Sequence, residues 1–213
     1  MSSALLAQLE ASLRTKDASR ERFLFRELNP GLPHTPILNK PPSKPRPAAV
    51  LIGVRMSDEP TVILTLRAPT MPSHAGQIAL PGGMPSEGDD GFVGTAIREA
   101  EEEVGLSPSA VRVLGSYGPH HGGLGYVVTP VLAAVRGDAD VVADPREVAD
   151  VFEVPLASLL DLSGHVTENR QFKEVTYQMY AVPSLDTAGR HWNIWGLTAG
   201  ILRTMAECMD EVA

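Results

Sequence analysis

The sequence predicts one domain of the α/β (α+β) class, in which a mixed β-sheet is sandwiched between helices. Short β-branched and apolar segments alternate along the chain with segments of helical periodicity, an order that such a sheet explains. The 213 residues suffice for one well-packed domain with extensions, but not for two large ones. Apolar residues make up 43% of the chain, which is enough to build a core and excludes wholesale disorder.

The chain is expected to divide into an N-terminal helix with a proline-rich arm over residues 1–47 and a main domain over residues 48–213. Leucines at helical spacing over residues 4–13 predict an amphipathic helix. Prolines over residues 29–47 predict an extended arm rather than a hinge between domains.

The main domain is expected to begin with a β-hairpin. Residues 48–54 and 61–66 are β-branched and apolar, and a Ser-Asp-Glu-Pro turn separates them. Further along, a helix over residues 92–104 is expected to end at Gly105. The other predicted elements, in chain order, are strands over 77–80, 111–117 and 126–135, a short helix over 154–161, strands over 166–167 and 175–182, and a C-terminal helix over 194–209.

Charge and cysteine content limit the class of protein. Lys and Arg number 18 against 26 Asp and Glu, a net charge of -8. An acidic chain has no general attraction for nucleic acid or anionic membranes, so neither is expected as a partner. The lone Cys208 cannot form an internal disulfide, which favours a reducing compartment. With no signal-peptide pattern and no run of ~20 apolar residues, we expect a cytoplasmic protein.

The helix predicted over residues 92–104 presents a group of carboxylates on one face. At roughly 100° per residue, Glu102 and Glu103 fall within about 60° of Glu99. Like charges at this spacing repel one another, and carboxylate oxygens are the ligands that Mg²⁺ and Mn²⁺ favour. The alternative to a metal site is that these glutamates form a solvent-exposed acidic face that binds no ligand. The face expected to be buried consists of Val93, Ile97, Ala100 and Val104.

The context of these glutamates favours the metal site. A Gly-Gly turn and an aspartate-rich loop precede the helix, and Arg98 begins its charged stretch. The segment from Arg98 to Leu106, R-E-A-E-E-E-V-G-L, resembles the second half of the Nudix box, R-E-U-x-E-E-x-G-U, with each fixed position filled. The first half departs from the pattern G-x5-E-x7, because Gly83 lies one residue too far from Arg98. The acidic position is then Asp89 counted from the glycine, or Asp90 counted from the arginine.

The longer box with an aspartate is similar to that of the coenzyme A pyrophosphatase branch of the Nudix hydrolases. That branch has an upstream pattern, L-L-T-x-R-[SA]-x3-R-x3-G-x3-[FL]-P-G-G, and Pro72 stands here where the pattern has its second arginine. The matching positions are Leu64, Thr65, Arg67, Ala68, Gly76, Leu80, Pro81, Gly82 and Gly83.

This resemblance implies a Nudix fold and metal-dependent hydrolysis of a diphosphate linkage, with Mg²⁺ or Mn²⁺ as the cofactor. Glu99 and Glu103 are implied as metal ligands with Glu102 as the third, and Glu102, Glu103 and Arg98 as catalytic residues. The implied partner is a small-molecule, coenzyme-A-like nucleoside diphosphate, and a homodimer is compatible with the family. The residues implied to contact substrate are Arg67, Ser73, His74, Gly76, Gln77, Gly82 and Gly83.

Several assignments stay open. The group that accepts the proton of the attacking water is Glu102 or Glu103, or else Glu168 or Glu174 from a later segment. Gly82 and Gly83 allow close approach to the helix or to a phosphate, or serve the turn alone. His74 either binds a phosphate or lies in an exposed loop. The loop over residues 118–125 is a substrate-side loop or a plain connection, and the core is the expected place of Trp192 and Trp195.

The leading function is hydrolysis of coenzyme A or an acyl derivative to 3′,5′-ADP and 4′-phosphopantetheine. The 3′-phosphate would need local positive charge, for which Lys40, Lys44, Arg46 and Arg67 are the candidates. One alternative is a Nudix hydrolase of another nucleoside diphosphate, such as ADP-ribose or a dinucleotide. An alternative of a different class is a non-catalytic nucleotide-binding module with the same fold.

Overall fold

The computed structural model describes residues 3–32, 44–71 and 74–213. Most of the proline-rich arm, including Lys40, and also Pro72 and Ser73 lie outside the described residues. The helices are α1 (Ser3–Ser12), α2 (Leu24–Leu28), α3 (Gly91–Val104), α4 (Leu156–Leu160) and α5 (Leu197–Asp210). The strands are β1 (Arg46–Met56), β2 (Thr61–Arg67), β3 (Ile78–Ala79), β4 (Gly82–Gly83), β5 (Val111–Ser116), β6 (His120–His121), β7 (Tyr126–Arg136), β8 (Val148–Pro155), β9 (Val166–Phe172), β10 (Val175–Leu185) and β11 (His191–Trp195).

The main sheet is mixed, as the sequence predicts. Its path is β3-β2-β1-β7-β5, with β4, β6 and β8 paired to β1, β7 and β2 respectively. β1 and β7 run parallel over their whole length, whereas the other pairings in the sheet are antiparallel. A second, three-stranded antiparallel sheet has the order β11-β10-β9.

The predicted hairpin of β1 and β2 is confirmed, but it is short. The two strands pair directly only near the turn, at Val54↔Val62 and Arg55↔Thr61. Beyond these pairs β3 pairs with β2 and β4 pairs with β1. The segment that carries β3 and β4 therefore separates the two strands, and it brings Gly82 and Gly83 against the middle of the sheet.

Alternating side chains of β1 point into cores on opposite faces of the sheet. Ala49 and Leu51 belong to a core that contains apolar residues of α3. Ile52 and Val54 belong to a larger core that contains residues of α1, α4 and α5. The sheet therefore lies between helices, which confirms the predicted fold class.

The first helix takes part in this packing. Leu9 of α1 is fully buried in the larger core, as is Cys208 of α5. Arg22 pairs with Glu207 of α5 at 2.9 Å, which ties the segment after α1 to the C-terminal helix. The division between residues 1–47 and 48–213 stays a prediction. Within the described ranges, no helix is long and apolar enough to cross a membrane.

The predicted C-terminal helix is wrong in its start. Ile194 and Trp195 are strand residues of β11, where they pair with Val182 and Ala181 of β10. Gly196, with φ of 72°, separates the strand from α5. Helical periodicity alone did not separate the two elements, because the apolar residues of β11 continue the pattern of the helix.

Candidate active site

Helix α3 places its glutamates against the turn that contains β4. The helix ends at Gly105, whose φ of 65° lies in the left-handed region that glycine adopts without strain. The predicted buried face is wrong at Val93, which is exposed in the first turn of the helix. The residues of α3 that are buried are Thr95, Ala96, Ala100, Glu103 and Val104. A carboxylate therefore belongs to the face that packs on the sheet.

Glu103 is the buried carboxylate, with 2% of its side chain exposed. The backbone N–H of Gly82 donates to Glu103 Oε2 at 3.1 Å, and Arg67 Nη1 donates to Oε1 at 3.3 Å. Burial raises the pKa of Glu103 to about 7, against the opposing effects of these two donors. Both partners of Glu103 belong to the upstream pattern, so the position of this Nudix-box glutamate depends on that pattern.

The two glycines of β4 are required by close packing. A Cβ at Gly82 would overlap the backbone of β1, and a Cβ at Gly83 would overlap the carboxyl group of Glu99. Among the open alternatives, the structure therefore supports close approach to the helix for Gly83, whereas Gly82 lies against β1. The lack of side chains here allows Glu99 to lie over the turn.

Arg98 connects three carboxylates around the helix. Its Nε and Nη2 donate to the two carboxylate oxygens of Asp89, at 2.8 and 3.1 Å. Its Nη1 donates to Glu99 and to Glu102, each at 2.9 Å. The bonds from Arg98, supplemented by donors from Ser86 and Thr95, hold the pKa of Asp89 well below its usual range. Asp89, rather than Asp90, is thus the acidic residue that pairs with the arginine of the motif.

Glu147 is a candidate that sequence analysis missed as a site residue. It immediately precedes β8, and its carbonyl accepts a hydrogen bond from the N–H of Ala68 at 2.8 Å. This contact brings Glu147 close to the end of β2. Its charge raises the pKa of both Glu99 and Glu103. The only signal in the sequence was an acidic residue before an apolar segment, and the pairing of β8 with β2 is what gives it meaning.

Glu99, Glu103 and Glu147 line one cavity of about 570 Å³. Burial is the main cause of the raised pKa of Glu99, and Glu102 and Glu147 raise it further, against the opposing effect of Arg98. Mutually repelling carboxylate oxygens are a donor set that fits a hard divalent cation. In the described ranges, no group of three or more His, Cys, Asp or Glu side chains is arranged tightly enough to hold a metal as it stands. Arg98 and Arg67 instead hold the glutamates in the present arrangement.

Some of the predicted site residues line the cavity, and others do not. Arg67, His74, Gln77, Gly82 and Gly83 line the cavity, together with Glu99 and Glu103. Gly76, Arg98 and Glu102 do not line it, and Ser73 is not among the described residues. The side chain of Glu102 is 57% exposed. The structure therefore brings two of the three predicted metal ligands together at the cavity and leaves the third at its outer side, on Arg98.

His74 makes a local contact with Gln77 and lies beside Tyr126. His74 Nδ1 and Gln77 Oε1 lie 2.7 Å apart, and the imidazole approaches the ring of Tyr126 edge-on at 6.1 Å. Arg46 lies over the same tyrosine ring, 4.1 Å from its centroid. Basic and aromatic groups therefore meet at this part of the wall.

The two later glutamates that were considered as proton acceptors lie elsewhere. Glu168 accepts hydrogen bonds from Arg170 and from Asn193. Glu174 is exposed in the turn between β9 and β10. Neither is among the residues that line the cavity.

In each of two residue pairs, His120 with His121 and Trp192 with Trp195, one side chain lies in the core and the other lines the cavity. His120 is fully buried, while His121 lines the cavity. Trp192 stacks on Phe152 with ring centroids 4.2 Å apart, as expected for a core residue. Trp195 instead lines the cavity, so the expectation of core packing is wrong for it. Its position follows from its place in β11, which the sequence did not reveal.

Comparisons with known proteins agree with this geometry. A family model described as NUDIX domain matches residues 44–175. The uncharacterized Nudix hydrolase NudL of Photorhabdus laumondii subsp. laumondii is 39% identical over 166 residues, which are 76% of this chain and 84% of the relative. The protein of the same name from Yersinia pestis is 39% identical over 162 residues, which are 76% of this chain and 79% of the relative.

Among solved structures, a Nudix hydrolase from M. smegmatis, RenU, superposes with a TM-score of 0.45 and 25% identity, over 55% of this chain and 74% of that chain. The family model spans more than half of the present sequence, and the NudL proteins align over most of their own length. On the family model and the NudL relatives, and on a Nudix box whose second half forms a helix at a cavity, the chain belongs to the Nudix hydrolase family.

Proposed function

We propose that this Nudix hydrolase cleaves the diphosphate linkage of coenzyme A or acyl-coenzyme A, with 3′,5′-ADP and the corresponding 4′-phosphopantetheine as products. The observation that carries the proposal is that residues of two motifs share one cavity. Glu99 and Glu103 come from the Nudix box, and Arg67, Gly82 and Gly83 come from the upstream pattern that resembles the coenzyme A branch.

Nudix hydrolases generally use divalent cations such as Mg²⁺ or Mn²⁺. In this chain Glu99, Glu103 and Glu147 are the residues that would hold the cation. When bound, such a cation neutralises the charge of a diphosphate and favours deprotonation of water. Glu102 would join the ligands only after leaving Arg98, to which it is bonded at 2.9 Å.

Residues of the chain also orient the glutamates and accept a proton. Arg98 fixes the orientation of Glu99 through a charge-assisted hydrogen bond. Arg67 and the N–H of Gly82 fix that of Glu103, and each carboxylate oxygen, which accepts one of these bonds, keeps a lone pair for the cation. Glu147 is exposed at the cavity wall. One of its carboxylate oxygens would bind the cation, and the other would accept the proton of an attacking water.

Recognition of the 3′-phosphate is assigned to Arg46. Arg67 is already paired with Glu103, whereas Arg46 is exposed and lies over Tyr126, a residue of the cavity wall. Lys44 is also exposed but has no such link to the wall. A guanidinium stacked on a ring keeps its N–H groups available for a phosphate.

The test compares coenzyme A, dephospho-coenzyme A and ADP-ribose side by side under saturating Mg²⁺ and Mn²⁺. A charge-assisted contact to the 3′-phosphate should favour coenzyme A over dephospho-coenzyme A by about 10- to 100-fold in kcat/KM. Arg46→Gln should remove most of this preference, and Arg112→Gln, a change at an exposed arginine of β5 away from the cavity, should leave it intact.

If ADP-ribose is the best of the three, the assignment to the coenzyme A branch is wrong, and another nucleoside diphosphate is the substrate. If all three are inert with either metal, a non-catalytic binding module is the better interpretation. Cytoplasmic location and a homodimer stay predictions from the sequence.

A further inference from the structure

The cavity continues beyond the glutamates into an apolar arm. This apolar arm is formed by α2 on one side and by β10, β11 and the start of α5 on the other. Its side chains are Leu24, Phe25, Leu28, Tyr177, Met179, Tyr180, Trp195, Leu197 and Ile201. All of them lie outside residues 44–175, the part of the chain that matches the NUDIX family model. Segments flanking the family domain therefore complete the cavity.

The wall contributed by α2 is held in place by one buried side chain. Asn29 Nδ2 donates to the carbonyls of Phe25 and Gln178, at 2.8 and 3.0 Å. The N–H of Gln178 donates in return to Asn29 Oδ1 at 2.7 Å. These bonds fasten α2 to β10, so the apolar arm is formed in advance of any ligand.

The chemistry of the apolar arm suits an aliphatic chain rather than a nucleobase. Phe25 and Tyr177 contact each other, with ring centroids 5.7 Å apart and planes tilted by 49°, and so leave no parallel slot between them for a base. Two polar groups near the apolar arm are already bonded, since Thr198 Oγ1 donates to the carbonyl of Ile78 and His121 pairs with Glu21. These two side chains are therefore not available to bind the edge of a base.

We propose that the apolar arm binds the acyl chain of an acyl-coenzyme A and sets the preference for chain length. The proposal rests on the proposed function, because the diphosphate of the same molecule would lie at the glutamates. An apolar arm that opens from the same cavity lets one elongated substrate occupy both parts. Phe25, Leu28, Met179 and Trp195 are its specificity-determining residues.

The first measurement is kcat/KM for coenzyme A and its acetyl, butyryl and octanoyl thioesters. Burial of each added methylene should raise kcat/KM by about 2- to 4-fold until the apolar arm is filled. Leu28→Trp narrows the apolar arm. It should cost octanoyl-coenzyme A about 10-fold or more in kcat/KM while coenzyme A itself changes by less than about 2-fold.

The matched control is Leu185→Trp, the same exchange at an exposed position of β10 outside the cavity. It should leave the whole series unchanged. Met179→Trp narrows the apolar arm from the opposite wall and serves if Leu28→Trp does not fold, as judged by circular dichroism and thermal unfolding.

A binding measurement separates this proposal from the proposed function. Trp195 lines the apolar arm, so its fluorescence in a Trp192→Phe background should report the same four compounds without turnover, in EDTA. If coenzyme A is hydrolysed but neither kcat/KM nor affinity depends on chain length, the acyl-chain site is refuted and the proposed function stands. If no compound is hydrolysed but affinity rises with chain length and Leu28→Trp, measured by isothermal titration calorimetry, abolishes the rise, the apolar arm stands and the function does not. If neither hydrolysis nor chain-length-dependent binding occurs, both proposals fail.

Discussion

Arg67 Nη1 lies 3.3 Å from Glu103 Oε1, at the point where the end of β2 meets helix α3. Each residue belongs to a different sequence motif, and each lines the same cavity. A buried carboxylate is costly unless it is paired, so this contact makes the position of Glu103 depend on the upstream motif. Arg67 therefore positions Glu103 through Nη1, while its Nε has no partner among the described residues, and contact of Arg67 with substrate stays a prediction.

Removal of the negative charge of Glu103 is expected to abolish most activity without unfolding the protein. Glu103→Gln keeps the size of the side chain but removes the electrostatic role, and kcat should fall at least ~10²-fold. The control is Glu101→Gln, a neighbouring glutamate of α3 that is exposed and does not line the cavity. Near wild-type turnover by a folded Glu103→Gln variant would refute the assignment.

Arg98 is expected to act through the carboxylates it binds. Lysine cannot reproduce the planar fork that reaches Asp89, Glu99 and Glu102 together. Arg98→Lys should therefore lower kcat more than it raises KM. Arg136→Lys, an exposed arginine at the end of β7, is the control and should change neither. A change confined to KM would instead point to direct contact with the substrate.

Asp89 is expected to work only through Arg98. Asp89→Asn should lower kcat by about 10-fold, and the effect of adding it to Arg98→Lys should be much less than additive, because both changes disrupt one network. Asp90→Asn alters the adjacent exposed aspartate and should have little effect. Equal losses from the two aspartate variants would contradict the assignment of Asp89 as the acidic residue of the motif.

The local sequence pattern was sufficient to predict the helices and strands whose apolar residues recur with a regular period. α3 was predicted from its spacing and from Gly105, and β1, β2, β5 and β7 from their β-branched residues. Strand β8 and helix α2 were missed. Helix α2 has only five residues, too few to show helical periodicity, and acidic residues interrupt the apolar pattern of β8. Both elements are defined by contacts, with β10 and β2 respectively.

The residues of the candidate site were likewise predicted where local sequence positions them and missed where tertiary contacts do. Glu99 and Glu103 are close in sequence, so helical geometry alone puts them together. Glu147 reaches the cavity through the pairing of β8 with the distant β2, and Trp195 through the pairing of β11 with the neighbouring β10. Glu102 shares the helical face of Glu99, yet Arg98 holds it outside the cavity, which spacing does not reveal.

His120 is expected to make the stability of the protein depend on pH. Burial lowers its pKa from 6.5 to about 4, against the opposing effect of its hydrogen bond to the carbonyl of Gly118. In the unfolded chain the imidazole of His120 binds a proton below pH 6.5, whereas in the folded protein it does so only below about pH 4. The free energy of unfolding should therefore fall as pH drops through this window, by up to about 3 kcal/mol from this group.

The check is urea unfolding of the wild type and of His120→Gln at pH 7 and pH 4.5. The variant should be less stable at pH 7, and its loss of stability towards pH 4.5 should be smaller than that of the wild type. His191→Gln, at an exposed histidine of β11, should follow the wild type. The same pH dependence in His120→Gln as in the wild type would show that another group is responsible.

The most direct test of metal-dependent diphosphate hydrolysis at this site is a titration with Mn²⁺. Initial rates on the best diphosphate of the substrate panel are measured after EDTA treatment and gel filtration, while electron paramagnetic resonance follows the free ion in the same samples. We expect no turnover without the ion, a saturable return of activity that parallels binding, and weaker binding with lower rates in Glu99→Gln and Glu147→Gln. Full turnover in the metal-free enzyme, or unchanged Mn²⁺ binding in both variants, would contradict a metal site built from the glutamates of this cavity.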